Sequence, residues 1–256
     1  MPDQTTFSLP PTEALSYLYF GHVSFAVSDG RSVVLIDPFF CGQFTWKDRI
    51  ERHLDPPTID PGDIEPCDAI LLSHEHGDHW DPSTLQTLLH HSRALIHAPK
   101  TTIDLAVAQG VSRDRFRQVR KNEQIQVGRI GVTVFPSIES EGDDEPVQRV
   151  GFLLEHEGAC LYHQGDSHGP ARAWQEFRDR LDAMIIWPVY VDTYVFQMRP
   201  RSIIFHHMDR FEPGDFFCNK DPRRELEYWQ YRYPDTTFVA PTRNRWYSVK
   251  THEPVS

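Results

Sequence analysis

Residues 70–80 read ILLSHEHGDHW: an apolar run ends at Ser73, and His74–His79 then crowd three histidines, a glutamate and an aspartate around Gly77. The spacing predicts a short buried strand that empties into a polar loop. His74 and His76, one residue apart, can turn toward one point, and Gly77 permits a bend that swings Asp78 and His79 toward a second. Imidazole and carboxylate donors together suit zinc, iron or manganese. Two adjacent metal sites account for so many ligands in one loop. A solvated, histidine-rich turn is the alternative, and H-x-H-x-D-H directly after an apolar strand is too specific a pattern for it.

Outward from the cluster, the chain reads as strands and helices in two runs. Upstream, 15–21 (LSYLYFG) and 23–30 (VSFAVSDG) form expected strands, and 31–38 (RSVVLIDP) a near-continuous apolar one stopped by Pro38, as befits a strand buried on both faces. The proline-rich stretch 39–68 is expected to be irregular. Downstream, 81–91 (DPSTLQTLLHH) is a helix with Asp81 as cap and Pro82 at its first position. Strands are expected at 94–99, 115–119, 131–136, 150–158, 159–166, 182–189, 201–209, 236–241 and 245–249. Helices are expected at 100–110, 170–181 and 221–233. Two runs of strands, each followed by helices, imply two packed sheets with helices outside, a layered α/β fold. No Gly-rich dinucleotide or P-loop turn is present.

Composition sets the boundaries. The 256 residues show no repeat or compositional break, so 1–256 is read as a single domain, with 1–16 an irregular N-terminal extension. The start has no basic segment followed by an apolar one, so no signal peptide is expected, and no apolar run is long enough for a bilayer. Cys41, Cys67, Cys160 and Cys218 are scattered, as reduced thiols of a cytoplasmic protein would be. A net charge of −11 argues against a nucleic-acid partner.

The stretch LLSHEHGDHWDP (71–82) resembles the signature loop of the metallo-β-lactamase fold superfamily. The segment 19–40 is similar to the opening strands of its hydrolase branch, which includes lactonases of ascorbate phosphate. LYHQGDS (161–167) resembles the strand that delivers a bridging aspartate, and 203–211 (IIFHHMDRF) the late strand that ends in a metal-ligating histidine. The resemblance implies an αβ/βα four-layer sandwich with two metals at one rim. His74 and His76 would hold the first metal, Asp78, His79 and His207 the second, and Asp166 would bridge. His207 is preferred to His206 because the family's histidine stands two residues before an aspartate; His206, its strand neighbour, is expected to point to the opposite face.

One position departs from the family. The first metal usually takes a third histidine after the strand at 131–136, and this chain has Glu139 there, with no histidine between His97 and His156. Glu139 is open to three readings: a surface acid of the run 139–145, a carboxylate ligand of a zinc hydrolase, or the acid of a His74–His76–Glu139 set of the kind non-heme iron uses for dioxygen. The last resembles the family's di-iron β-hydroxylases of natural-product pathways. It implies a non-heme di-iron monooxygenase with iron (alternatively zinc or manganese), O₂ as co-substrate, an electron donor, and a small-molecule substrate, free or tethered as a carrier-protein or coenzyme A thioester. The alternative is a dinuclear zinc or manganese hydrolase of a lactone or phosphoester. Asp78 and Glu139 are the residues expected to carry the chemistry. Phe40, Trp46, Tyr190 and Tyr194 are candidates for a substrate pocket, with ordinary packing as the competing role. His22 is expected either to orient a ligand or to be a buried structural histidine. His163 reads as a strand side chain, His168 as a loop residue, and His90, His91, His97 and His156 as members of regular elements.

Overall fold

A computed structural model describes residues 6–137, 148–166, 172–212 and 221–255. Its first strands are β1 (Ser16–Gly21), β2 (Ser24–Ser28), β3 (Val33–Ile36), β4 (Gln43–Trp46), β5 (Arg49–His53) and β6 (Ala69–Leu71), followed by α1 (Pro82–His91), β7 (Leu95–Ala98), α2 (Lys100–Ala108) and β8 (Phe116–Gln118). The second run comprises β9 (Gln124–Val127), β10 (Ile130–Pro136), β11 (Val150–His156), β12 (Ala159–His163), β13 (Ala183–Ile186), α3 (Val191–Met198), β14 (Ser202–Phe205), β15 (Phe211–Glu212), α4 (Pro222–Arg232), β16 (Thr237–Val239) and β17 (Trp246–Ser248).

Two large mixed sheets form, in the orders β17-β1-β2-β3-β6-β7-β8 and β16-β14-β13-β12-β11-β10-β9. The alternation of strand side chains explains the layers. Val34 and Ile36 of β3 point between the sheets, with Phe152, Leu154 and Ile185 across from them, while Val33 and Leu35 face α1 and α2 through Leu85, Leu88 and Ile103. On the far sheet Ala183 and Ile185 face inward, and Met184 and Ile186 pack outward on Val191, Tyr194 and Trp229 of α3 and α4. Helix–sheet–sheet–helix is the four-layer sandwich the resemblance implies. The described residues of the N-terminal segment, 6–15, have no regular structure, and β1 starts at Ser16.

Three local expectations need correction. Residues 39–68 are not all irregular: β4 and β5 form an antiparallel hairpin, extended by β15 into a third sheet of three strands. Residues 191–198, where no regular element is expected, form helix α3. The helix expected at 170–181 is shorter and tighter, a 3-10 segment over Arg172–Phe177.

In each large sheet an antiparallel half gives way to a parallel one: β3, β6, β7 and β8 in the first, β12, β13, β14 and β16 in the second. Parallel neighbours end on the same side, so the loops that follow β3, β6, β12, β13 and β14 meet at one rim. Ligand sites of open α/β sheets lie beyond the carboxyl ends of such strands.

Candidate metal centre

Each of those strand ends delivers a polar side chain to the rim: Asp37 after β3, His74–His79 after β6, Asp166 after β12, Trp187 after β13, and His206 with His207 after β14. Asp166 lies at the centre, and its two oxygens are divided. Oδ2 faces His74 Nε2 at 3.4 Å and His76 Nδ1 at 3.7 Å, whereas Oδ1 faces His79 Nε2 at 3.2 Å and His207 Nε2 at 3.6 Å. Asp78 Oδ2 joins the second side, 3.3 Å from His207 Nε2 and 4.0 Å from His79 Nε2. A carboxylate that presents one oxygen to each of two donor sets has the geometry of a bridge.

The backbone accepts strain to aim these groups. Asp37, His22 and His207 all take positive φ (46°, 51° and 58°), a region costly for residues other than glycine. Gly165 is also left-handed at φ 60°, and a Cβ there would lie 2.7 Å from Ser73 Cβ, so Asp166 reaches the metal loop only beside a glycine. Gly77 is different. It is not among the positive-φ glycines, and the loop turns instead through the His79 N–H to His76 carbonyl bond of 3.1 Å.

A second ring of groups holds the first. The Ser73 N–H and Oγ–H donate to Asp37 at 2.7 and 2.6 Å, and His79 Nδ1 lies 2.8 Å from Asp37 Oδ2, which leaves His79 Nε2 to face the cluster. His22 Nε2 lies 3.1 Å from Asp78 Oδ2, and the His22 carbonyl accepts from His207 N–H at 3.0 Å. Asp209 accepts from the His22 N–H at 2.5 Å and pairs with His53 at 2.8 Å and Arg243 at 2.6 Å. Buried carboxylates and imidazoles linked in this way fix the tautomer and orientation of metal ligands.

The charges in this pocket call for cations. Burial by itself would raise Asp78 and Asp166, yet His79 with His207 pulls both well below the ordinary carboxylate range, so both are ionised. Burial pushes His74 and His22 down to about 4, with His79 and His207 respectively adding to the effect, and holds His206 well below its ordinary value, so these rings are neutral. Burial also opposes charge on His79, but Asp166, Asp37 and Asp78 outweigh it and hold that ring well above its usual value. Three carboxylates, Asp37, Asp78 and Asp166, thus crowd that one buried ring, and buried charge without compensation is costly. His74 Nε2, His79 Nε2, Asp78 Oδ1 and Asp166 Oδ1 are also buried without a well-formed hydrogen bond among the described residues. Groups {His74, His79, Asp166}, {His22, Asp78, His207} and {Asp166, His206, His207} each bring candidate ligand atoms within 4.8 Å of one another. A nitrogen–oxygen donor set with excess negative charge fits two divalent cations of the zinc, manganese or iron kind.

The remaining sequence candidates are scattered. Glu139 lies outside the described residues, as do His168 and Cys218. Trp46 packs edge-on against His76 with centroids 5.7 Å apart. Phe40 turns away from the site onto Phe20, on the helix side of the first sheet, and its neighbour Phe39 occupies the wall beside His22 instead. Tyr194 is fully buried in the outer core of the second sheet, and Tyr190 packs on that same core, because the segment is helical and turns its inner face to the sheet. These three are therefore removed from the pocket. His206 does not point away: its Nδ1 touches His207 Nδ1, and its ring stacks on His163. Strand alternation ceases to apply there because β14 ends at Phe205 and His207 has a left-handed backbone. Asp37, Ser73, His53, Asp209 and Trp187 carry no motif that marks them in the sequence, apart from the aspartate that ends an apolar strand (LID, 35–37).

Comparison with known proteins follows the same lines. A UPF0173 protein of Pyrococcus furiosus is 27% identical over 174 residues, 67% of this chain and 69% of its own. A probable L-ascorbate-6-phosphate lactonase of Salmonella heidelberg is 27% identical over 130 residues; the match covers 44% of this chain and only 37% of the lactonase. Among solved structures, the metallo hydrolase Igni18 of Ignicoccus hospitalis superposes with a TM-score of 0.63 at 16% identity, covering 91% of this chain and 97% of that one. CmlA, a diiron β-hydroxylase from Streptomyces venezuelae, gives 0.58 at 15% identity, covering 90% of this chain and 53% of that one. At those identities the structures speak for the fold alone. The family model for a beta-lactamase superfamily domain matches residues 17–199, well over half of the chain, which therefore belongs to the beta-lactamase superfamily.

Proposed function

We propose that the protein is a dinuclear metalloenzyme acting as a non-heme iron monooxygenase on a small molecule. The observation that carries the dinuclear part is the divided carboxylate of Asp166, with an oxygen toward His74 and His76 and the other toward His79 and His207. The oxygenase part is carried by the donor set. No histidine stands in the sequence where a third ligand of the first metal belongs, and Glu139 takes that position. Two histidines and one carboxylate leave coordination positions open and add negative charge that favours higher oxidation states. Bound iron would supply the electron transfer that reduction of O₂ requires, with an external donor completing the balance of one C–H hydroxylated and one water released per two electrons.

The chain's own residues do the rest. Asp37 and Ser73 hold His79 and His74 in orientation, and His22 does the same for Asp78. Phe39, Phe44, Phe211 and Trp46 form an apolar wall at the site that keeps water from it. A thioester-linked substrate on a carrier protein or coenzyme A is part of this proposal.

The second reading is a zinc or manganese hydrolase of a lactone or phosphoester, favoured by the lactonase relative. The two are separated by metal analysis of protein grown in iron-supplemented medium, with optical spectra before and after reduction and O₂ exposure. The oxygenase reading expects bound iron and an oxygen-dependent spectral change. Tight zinc without such a change establishes the hydrolase. Glu139→His is expected to retain metal and lose hydroxylation.

A further inference from the structure

Arg149 immediately precedes β11 and is half-buried. Its carbonyl accepts from Ser137 N–H at 3.0 Å, and the next residue's N–H donates to the Ser73 carbonyl at 3.0 Å, so its backbone is pinned to the metal loop. Two other partly buried arginines have acids, Arg129 with Asp29 and Arg243 with Asp209, while a third, Arg115, donates to the Leu89, Ser92 and Ala94 carbonyls. Among the described residues Arg149 has no carboxylate partner, and its guanidinium Nη2 instead lies 3.2 Å from His76 Nε2.

That contact is unfavourable once His76 serves as a metal ligand. Its Nδ1 is the nitrogen turned toward Asp166 and the cluster, at 3.7 Å. A neutral imidazole that gives its Nδ1 lone pair to a metal carries its proton on Nε2. Nε2–H and the Arg149 N–H are then both donors, aimed at each other across 3.2 Å. An oxygen anion seated to one side of the pair, within hydrogen-bond reach of each nitrogen, satisfies both. The location is accessible: the His76 side chain is 27% exposed, and Trp46 forms a wall beside it.

We infer that Arg149 and the Nε2–H of His76 form an oxyanion subsite, which binds a carboxylate or phosphate group of the substrate beside the first metal. Arginine's planar fork suits both anions, and the charge assistance makes such bonds strong. The inference rests on the metal-centre reading through the ligation of His76 and is indifferent to oxygenase or hydrolase chemistry.

The test is calorimetric titration of the metal-loaded protein with inorganic phosphate and, separately, acetate, for wild type, Arg149→Gln and Arg149→Lys, with metal content measured on each sample. Arg149→Gln is expected to weaken anion binding tenfold or more at unchanged metal content. Arg149→Lys should restore phosphate binding further than acetate binding, because lysine keeps the charge and loses the fork; the anion with the larger arginine dependence identifies the substrate group. Equal binding by wild type and Arg149→Gln at full metal content overturns the subsite. So does loss of metal in Arg149→Gln, which would make the guanidinium a support for His76 only. Wild-type protein that retains no metal would instead sink the metal-centre reading, so the two failures are distinguishable.

Discussion

His22 Nε2 sits 3.1 Å from Asp78 Oδ2, and both side chains are buried. The pair joins the β1–β2 turn to the metal loop, and the His22 carbonyl also receives the His207 N–H. His22 therefore positions, from one residue, two of the side chains proposed to hold the second metal. Replacing His22 with Ala is expected to lower affinity for one of the two metals by roughly 10–100-fold, the usual cost of losing such a partner. Metal stoichiometry after dialysis against graded chelator checks this: the first equivalent should leave early, and the second should leave as in wild type.

Asp37 receives the Ser73 N–H, the Ser73 hydroxyl and His79 Nδ1, all within 2.6–2.8 Å. Asp37→Asn offers an amide donor where these donors need an acceptor. Breaking a buried charged network costs about 3–5 kcal/mol, so a substantial drop in the denaturant midpoint is expected. Metal affinity should fall with it, since His79 loses the acceptor that fixes its tautomer. A variant as stable as wild type in urea would show that Asp37 contributes no such anchor.

Gly165→Ala tests the close approach beneath Asp166. The new methyl would meet Ser73 Cβ at 2.7 Å, on a backbone already in the left-handed region. The expected penalty is about 1–3 kcal/mol from strain of this kind, together with displacement of the bridging carboxylate and loss of both metals. Parallel measurements of thermal midpoint and metal content check it. Full metal content would disprove the required closeness.

Away from the site, Asp29 links the β2–β3 turn to Arg129. Burial opposes its ionisation, but the amides of Ser32 and Arg31 and the Arg129 guanidinium hold its carboxyl below the ordinary value of 3.8. A lowered folded-state value contributes stability that is fully present above the unfolded value and is lost as pH falls through the folded one. Asp29→Asn should therefore be less stable than wild type at pH 7, with the gap narrowing below about pH 4 as carboxylates protonate. Paired urea melts at pH 7 and pH 3 read this directly, and a pH-independent gap would refute it.

The layers of the fold were legible because their strands obey a local rule. VVLI (33–36) is apolar at every position, as a strand between a helix layer and a second sheet must be, and the metal loop announced itself by residue type alone. What stayed hidden depends on distant partners. QFTW and RIERH carry too few apolar residues to suggest strands, and their hairpin is secured by Phe44 and Trp46 packing on Phe39, Phe211 and His76. VDTYVFQM is rich in β-branched and aromatic residues, yet it is helical because Val191, Tyr194 and Met198 fall on one face against the second sheet. The choice between Phe39 and Phe40 is a matter of one-residue register, which the local sequence leaves open. Arg149 and Asp209 are ordinary charged residues in sequence and gain meaning only from what the two sheets place beside them.

The divided carboxylate also bears on the order in which the proposed metal ligands come together. Sheet one is built mainly from residues 16–118 and sheet two from 124–239, so four ligands leave the ribosome long before Asp166 and His207 do. In the metal-centre reading, an ion held by the histidine loop alone would lack both Asp166 and His207. Those two residues come from the second sheet, so the full donor set needs both sheets packed together. On the proposed reading, the choice of metal would therefore be fixed by the finished fold and not by the loop that first meets it.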